Sequence, residues 1–340
     1  MTPFLLKYLC EPITKNPLQL INSVEDEFGN IISGILKSES GGEYPIINGI
    51  PRFITNLNNN TVKSFGDEWN YFNFTDFKIN WLNHTVVNTF GSTDVFKNKI
   101  IVDAGGGSGS QSKWFLEYGA KHVILMELSH SVDHIIKENL KGFLNVDVIQ
   151  CSIDSPPLRN NCINGIVYCH NVIQHTPDVD KTAEALFDLV DNNGEFVFNC
   201  YQLNDKGVFR KIRYYIIYKP LRFVLSQLPF SYILFYSRVM AILSLIPILG
   251  VILEKCGFCS RGDVPFMSNE TKLKYYIRSF KNTCLNTFDC FGSHKYQHLK
   301  TDAEIINLIK RLQPNSTKVL NFQKYFMRPT PIGCAIRIFK

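Results

Sequence analysis

Asp103, Gly105, Gly107, Gly109 and Glu127 are the residues whose types and spacing first suggest chemistry. Asp103-Ala-Gly-Gly-Gly-Ser-Gly109 follows the apolar β-branched run Ile100-Ile-Val102 and precedes the helix-permissive segment Ser110–Tyr118. Closely spaced glycines weaken any regular element, so this order predicts strand, tight turn, helix. Backbone N–H groups bared at such a turn, and at the helix start behind it, can receive a polar or anionic ligand group at close range. Glu127 ends the next apolar run, His122-Val-Ile-Leu-Met126. A carboxylate at that distance from a glycine turn can accept both hydroxyl protons of a ribose.

The elements that must position these residues follow in order. Val148-Ile-Gln-Cys-Ser-Ile-Asp-Ser-Pro-Pro-Leu158 reads as a strand and its loop. Ile163–His170 reads as the next strand, with the loop Asn171-Val-Ile-Gln-His-Thr-Pro-Asp178 after it. A helix over Lys181–Val190, a turn at Asn193-Gly194 and a further strand complete an alternating pattern typical of α/β proteins with a parallel sheet. His175 in the strand-four loop is of a type suited to a general base or to orienting a ligand. On spacing alone two cofactor classes remain open, a nicotinamide dinucleotide and S-adenosylmethionine.

Asp103 distinguishes them. The order Asp-x-Gly-x-Gly-x-Gly resembles motif I of the class I S-adenosylmethionine-dependent methyltransferases, and the 148–158, 171–178 and 191–199 segments resemble later motifs of that family. The resemblance implies a Rossmann-like, seven-stranded, mostly parallel sheet, closed by an antiparallel hairpin of Lys318–Gln323 and Gly333–Phe339. It implies S-adenosylmethionine as cofactor. Asp103 with Gly105, Gly107 and Gly109 would hold its amino-acid end, Glu127 and Leu128 the ribose, and Ser152 and Ile153 the adenine, with Asn171 beside them. The family usually has Asp where Ser152 stands. Segments Arg261-Gly-Asp-Val-Pro and Leu285-Asn-Thr-Phe-Asp289 resemble those of a bacterial subgroup. That likeness makes Asp289, with His175, a catalytic candidate, and puts Tyr296 on the substrate side. Trp69, in the aromatic stretch Phe65-Gly-Asp-Glu-Trp-Asn-Tyr-Phe72, is expected over the cofactor mouth, while Trp81 and Phe90 read as core.

The chain has 340 residues, 45% of them hydrophobic, and a net charge of +6. That charge is spread thinly, which argues against a nucleic-acid partner. Residues 1–57 read as a small β-rich module with strands Leu18–Ile21, Ile31–Leu36 and Tyr44–Phe53. The module resembles the zinc-ribbon-derived modules that accompany methyltransferases. Of the zinc ligands only Cys10 stands in place, with Thr14, Ser38 and Gly41 near the other positions. Neither there nor at the lone pair Cys256 and Cys259 is a tetrahedral ligand set present, and no metal is expected. The remaining expected division is a linker with entry helices at 58–98, a cofactor-binding core at 99–200, a helical insert at 201–300 and a closing helix and hairpin at 301–340.

Between 207 and 255 apolar stretches alternate with basic residues. Its longest charge-free runs, Phe223–Ser237 and Val239–Leu253, are too short to span a bilayer. They read as a cap over the site or as a peripheral membrane surface. The N-terminus lacks the order of a signal peptide, so a cytoplasmic location is expected. The expected activity is methyl transfer, to oxygen before nitrogen or carbon, on a small-molecule, saccharide or lipid-linked acceptor. A non-catalytic partner protein on the same fold and a nicotinamide oxidoreductase are the competing readings.

Overall fold

The computed structural model describes residues 1–54, 60–72, 74–203, 207–262, 264, 266–267, 270–292, 294, 296–320 and 334–340. Its centre is a seven-stranded sheet. Strands β5 (Ile100–Ala104), β6 (His122–Glu127), β7 (Val146–Gln150), β8 (Gly165–Cys169) and β9 (Glu195–Cys200) run parallel, joined by β10 (Ser316–Leu320) and β11 (Cys334–Phe339) in the order β10-β11-β9-β8-β5-β6-β7. β11 is antiparallel to β9 and β10 antiparallel to β11. This is the expected α/β architecture. β5, β6, β8 and β9 are almost continuously apolar because helices cover both faces of the sheet. Positions 321–323 and 333 of the expected hairpin, and Asp263 and Pro265 of the Arg261–Pro265 segment, lie outside the described residues.

The chain order reverses between β5 and β8, since β6 and β7 lie on one side of β5 and β8 and β9 on the other. In open α/β sheets ligands bind at such a switch point, beyond the C-terminal ends of the strands. The Ser110–Glu117 helix follows β5 across the glycine turn. The Val179–Asp188 helix follows β8, and Asp178 caps it by accepting hydrogen bonds from the Asp180 and Lys181 N–H groups.

The N-terminal module is a four-stranded antiparallel sheet of β1 (Leu18–Glu25), β2 (Ile31–Ser38), β3 (Glu43–Ile47) and β4 (Ile50–Pro51). Tyr44–Phe53 was expected to be one strand. It is two, because Asn48 and Gly49 take positive φ of 52° and 75° and reverse the chain in a tight hairpin. The module seals the β7 edge of the large sheet. The Phe53 N–H donates to the Gln150 carbonyl, and Arg52 reaches the Gln150 amide oxygen at 2.7 Å and Asp133 at 2.6 Å. Leu5, Leu9, Ile31, Leu36 and Ile46 enter the same core cluster as β5 to β9. Capping a sheet edge in this way removes a template for unwanted strand pairing.

Beyond β9 the insert is helical. Residues 208–225 form one helical run with a wide central turn, Phe230–Ser244 and Pro247–Cys256 follow, and Lys272–Phe291 is the longest helix. Phe288, Cys284, Ile233, Leu234 and Ala241 hold the Phe230–Ser244 and Lys272–Phe291 helices together. Among the described residues no helix is long and apolar enough to cross a membrane.

Candidate functional site

A cavity of about 400 Å³ opens at the C-terminal ends of β5, β6, β7 and β8, within the range of about 300–1,000 Å³ usual for small-molecule sites. Ten of the residues expected at the site line it: Trp69, Gly105, Glu127, Leu128, Ser152, Ile153, Asn171, His175, Asp289 and Tyr296. Asp103, Gly107 and Gly109 are not on its wall.

The glycine turn explains this division. Gly105, Gly107 and Gly109 all have positive φ, from 58° to 85°, so the turn needs residues without a Cβ penalty. A Cβ on Gly105 would stand 2.5 Å from Val172, and one on Gly107 would stand 2.9 Å from the Trp69 ring. Trp69 therefore lies against the turn and covers Gly107. Asp103 lies beneath the turn, 3% exposed, where it accepts a 2.6 Å hydrogen bond from the Ser112 hydroxyl. Burial raises its carboxyl to about 6, the Ser112 bond pulling the other way.

Glu127 is the buried acceptor of the site. The Gly107 N–H donates to one oxygen at 2.9 Å and the Ser129 N–H to the other at 2.8 Å, which fixes the carboxylate on the cavity wall. Burial raises its pKa despite both bonds. The β7 loop supplies Cys151 through Ser155 on the next side. Asn171 is held at a positive φ of 59° by reciprocal 2.6 Å bonds with Asn199 of β9.

The far end of the cavity has different chemistry. The His175 Nδ1 lies 3.0 Å from the Tyr296 carbonyl, which can only accept, so Nδ1 carries the proton and Nε2 presents its lone pair. Nε2 lies 3.8 Å from Asp289 Oδ1, and Tyr201 donates to Asp289 Oδ2 at 2.9 Å. Burial lowers His175 to about 4, although Asp289 opposes that shift. The sequence likeness pointed to Asp289 and Tyr296; the structure shows how they arrive. Asp289 stands in the last turn of the Lys272–Phe291 helix, and the chain beyond it returns over the β8 loop.

Glu68 and His294 were missed. Both side chains are fully buried beside Asp289. His294 stacks on Phe65 at 4.1 Å between ring centres, and its carbonyl accepts a bond from Arg222. A signal for Glu68 was available. It sits among Phe65, Trp69 and Phe72 on one helical stripe, where an acid is out of place. Nothing near His294 in the sequence marks it.

Residues 102–198 match the family model described as a methyltransferase domain, a match covering less than half of the chain. No curated protein matches the chain. Among solved structures, an O-methyltransferase family protein from Burkholderia thailandensis is similar at 9% identity over 81% of this chain and 59% of that one, with a TM-score of 0.43. An S-adenosylmethionine-dependent methyltransferase from Mesorhizobium loti is similar at 12% identity over 76% of this chain and all (100%) of that one, with a TM-score of 0.41. The chain spans 60% and 45% of two further structures, from Haloferax volcanii and Galdieria sulphuraria. The segment from β5 to β9 is thus similar to a methyltransferase domain, and that match supports S-adenosylmethionine as the cofactor of this segment.

Proposed function

We propose that the chain transfers a methyl group from S-adenosylmethionine to a hydroxyl oxygen of a small or lipid-linked acceptor. The observation that carries this reading is one cavity with two chemically distinct ends. One end is a glycine cradle with a fixed carboxylate, and the other an imidazole lone pair beside Asp289. The cradle fits the cofactor. A Cβ on Gly105 would meet Val172, and Glu127, whose two N–H donors leave lone pairs free, suits the ribose hydroxyls. Ser152 and Ile153 line the cavity and would hold the adenine.

When bound, the cofactor supplies a methyl group already electrophilic on a sulfonium sulfur. That methyl would pass to the acceptor oxygen as the C–S electron pair returned to sulfur. The protein's part is to hold the acceptor in line, exclude water and remove its proton. His175 Nε2 takes that proton, Tyr296 keeps the ring in the correct tautomer, and Asp289 stabilises the imidazolium formed. Trp69, Phe65 and Val62 shield the cavity.

The insert bears on the acceptor. Phe209, Phe223, Phe235 and Ile248 are 89%, 70%, 69% and 78% exposed on helices that also carry Lys211, Lys219, Arg238 and Lys255. Apolar side chains among basic ones suit an anionic lipid surface, which supports an acceptor presented from a membrane. Isothermal titration with S-adenosylmethionine and its demethylated product tests the core of this reading. Micromolar binding by the wild type, lost in Glu127→Ala, is expected; no binding by the folded wild type would overturn it.

A further inference from the structure

Among the described residues the one grouping of at least three metal-ligating side chains is Glu68, Asp289 and His294, whose donor atoms all lie within 4.8 Å of one another. They come from three places: the Asn60–Tyr71 helix, the last turn of the Lys272–Phe291 helix, and the segment after that helix. His294 Nε2 is 3.1 Å from Glu68 Oε2 and 3.9 Å from Asp289 Oδ1. Three ligands about 2.1 Å from one ion stand about 3.0–3.4 Å apart when adjacent; Glu68 and His294 are at that spacing and Asp289 stands somewhat wider.

A second observation points the same way. Both Glu68 oxygens and both His294 nitrogens are buried without a hydrogen-bond partner, the 3.1 Å contact between them being out of hydrogen-bond alignment. The side chains of Glu68 and His294 are 0% exposed. Buried polar atoms are nearly always satisfied, so the unpartnered Glu68 oxygens and His294 nitrogens facing one another call for a partner between them. Arg222, the guanidinium nearest His294 by its bonds, spends its donors on the carbonyls of Gly292 and His294. The Phe65 stack holds the His294 ring in place.

We propose that Glu68, Asp289 and His294 form a binding site for one divalent first-row transition cation at the acceptor end of the cavity. One imidazole and two carboxylates suit manganese, iron(II) or zinc, whereas magnesium and calcium favour an all-oxygen set. Three protein ligands leave coordination positions open. Asp289 lines the cavity, so an open position faces the place where the acceptor enters. A hydroxyl oxygen bound there becomes more acidic and gives its proton to His175 Nε2, which stands 3.8 Å from Asp289 Oδ1. This role rests on the methyl-transfer reading; the binding of the ion does not. The expectation of no metal came from the cysteine pattern, which has no part in this site.

The test is manganese(II) binding to the chelator-stripped full chain, read by electron paramagnetic resonance of the free ion. Manganese is used because it disfavours thiolates, so the free cysteines do not compete. One tight ion per chain is expected. Glu68→Gln, which keeps shape and folding, and His294→Ala should each weaken binding at least about 100-fold, since loss of mere supporting partners already costs about 10–100-fold. Saturating magnesium should not displace the ion. The proposal is overturned if the folded wild type binds no manganese, or if Glu68→Gln binds it as tightly as the wild type. S-adenosylmethionine titration on the same samples separates the two readings. Cofactor binding without manganese sinks the metal site alone, and manganese binding without cofactor sinks methyl transfer alone.

Discussion

Replacing Asp103 by asparagine separates what this buried acid costs the fold from what it contributes to the cofactor site. Its carboxyl titrates near 3.8 in the unfolded chain and at about 6 in the folded one. The folded protein therefore holds the proton more tightly. The stability this contributes is fully present below pH 3.8 and is lost as the pH rises through about 6. Burying the acid rather than leaving it in water costs about 3 kcal/mol at pH 8, about 1.6 kcal/mol at pH 5 and about 0.6 kcal/mol at pH 4. Asparagine carries no such cost at any pH. It still accepts the Ser112 hydroxyl bond, while its amide N–H groups bring a penalty of about 1–3 kcal/mol that does not change with pH. The pH dependence is thus the readout. Urea unfolding of wild type and Asp103→Asn should show the variant's relative stability falling by about 1.4 kcal/mol between pH 8 and pH 5. A difference constant to within about half a kcal/mol over that range would refute the burial argument. Asp103 lies off the cavity wall, so S-adenosylmethionine titration of the same variant reads any effect on the glycine turn separately from stability.

Gly107→Ala puts a Cβ at a φ of 58° and 2.9 Å from Trp69, so a stability loss of about 1–2 kcal/mol with weaker cofactor binding is expected by urea melts and titration. Trp69→Ala in the same background should recover part of the affinity loss if the ring is the obstacle. Asp178→Ala removes the cap of the Val179–Asp188 helix and should cost about 1 kcal/mol without changing cofactor affinity. Flotation with anionic vesicles should carry the wild type upward, while Phe209→Ser with Phe223→Ser stays at the bottom. Equal flotation of both would remove the lipid-surface reading.

Much of the cofactor end was legible because its determinants are local. The glycines at 105, 107 and 109 are demanded by positive φ, a property of each residue and its immediate neighbours. β-branched runs mark buried parallel strands wherever they occur, and the family likeness supplied their order. Glu127 could be singled out because strand length fixes its distance from the turn. Less legible was depth. Asp103 belongs to the turn in sequence but lies beneath it, hydrogen-bonded to Ser112 and off the cavity wall, because Trp69 arrives from another helix to cover the loop. The Asn48-Gly49 hairpin was missed although its signal was present, since the apolar residues around it read as a continuous strand.

By itself, the sequence determined the parallel sheet and the turn at its switch point, because φ preferences and apolar periodicity act over a few residues; the class of cofactor came from the family likeness. Only the tertiary structure decided the other end of the cavity. Glu68 lies far along the chain from Asp289 and His294, and none belongs to a spacing motif with the others. Docking of the Asn60–Tyr71 helix and of the insert's longest helix over the β8 loop brings them together, with His175 beside them. Burial then leaves the Glu68 and His294 side chains facing each other without hydrogen-bond partners. That pairing comes from packing over long sequence separations, which no local pattern encodes.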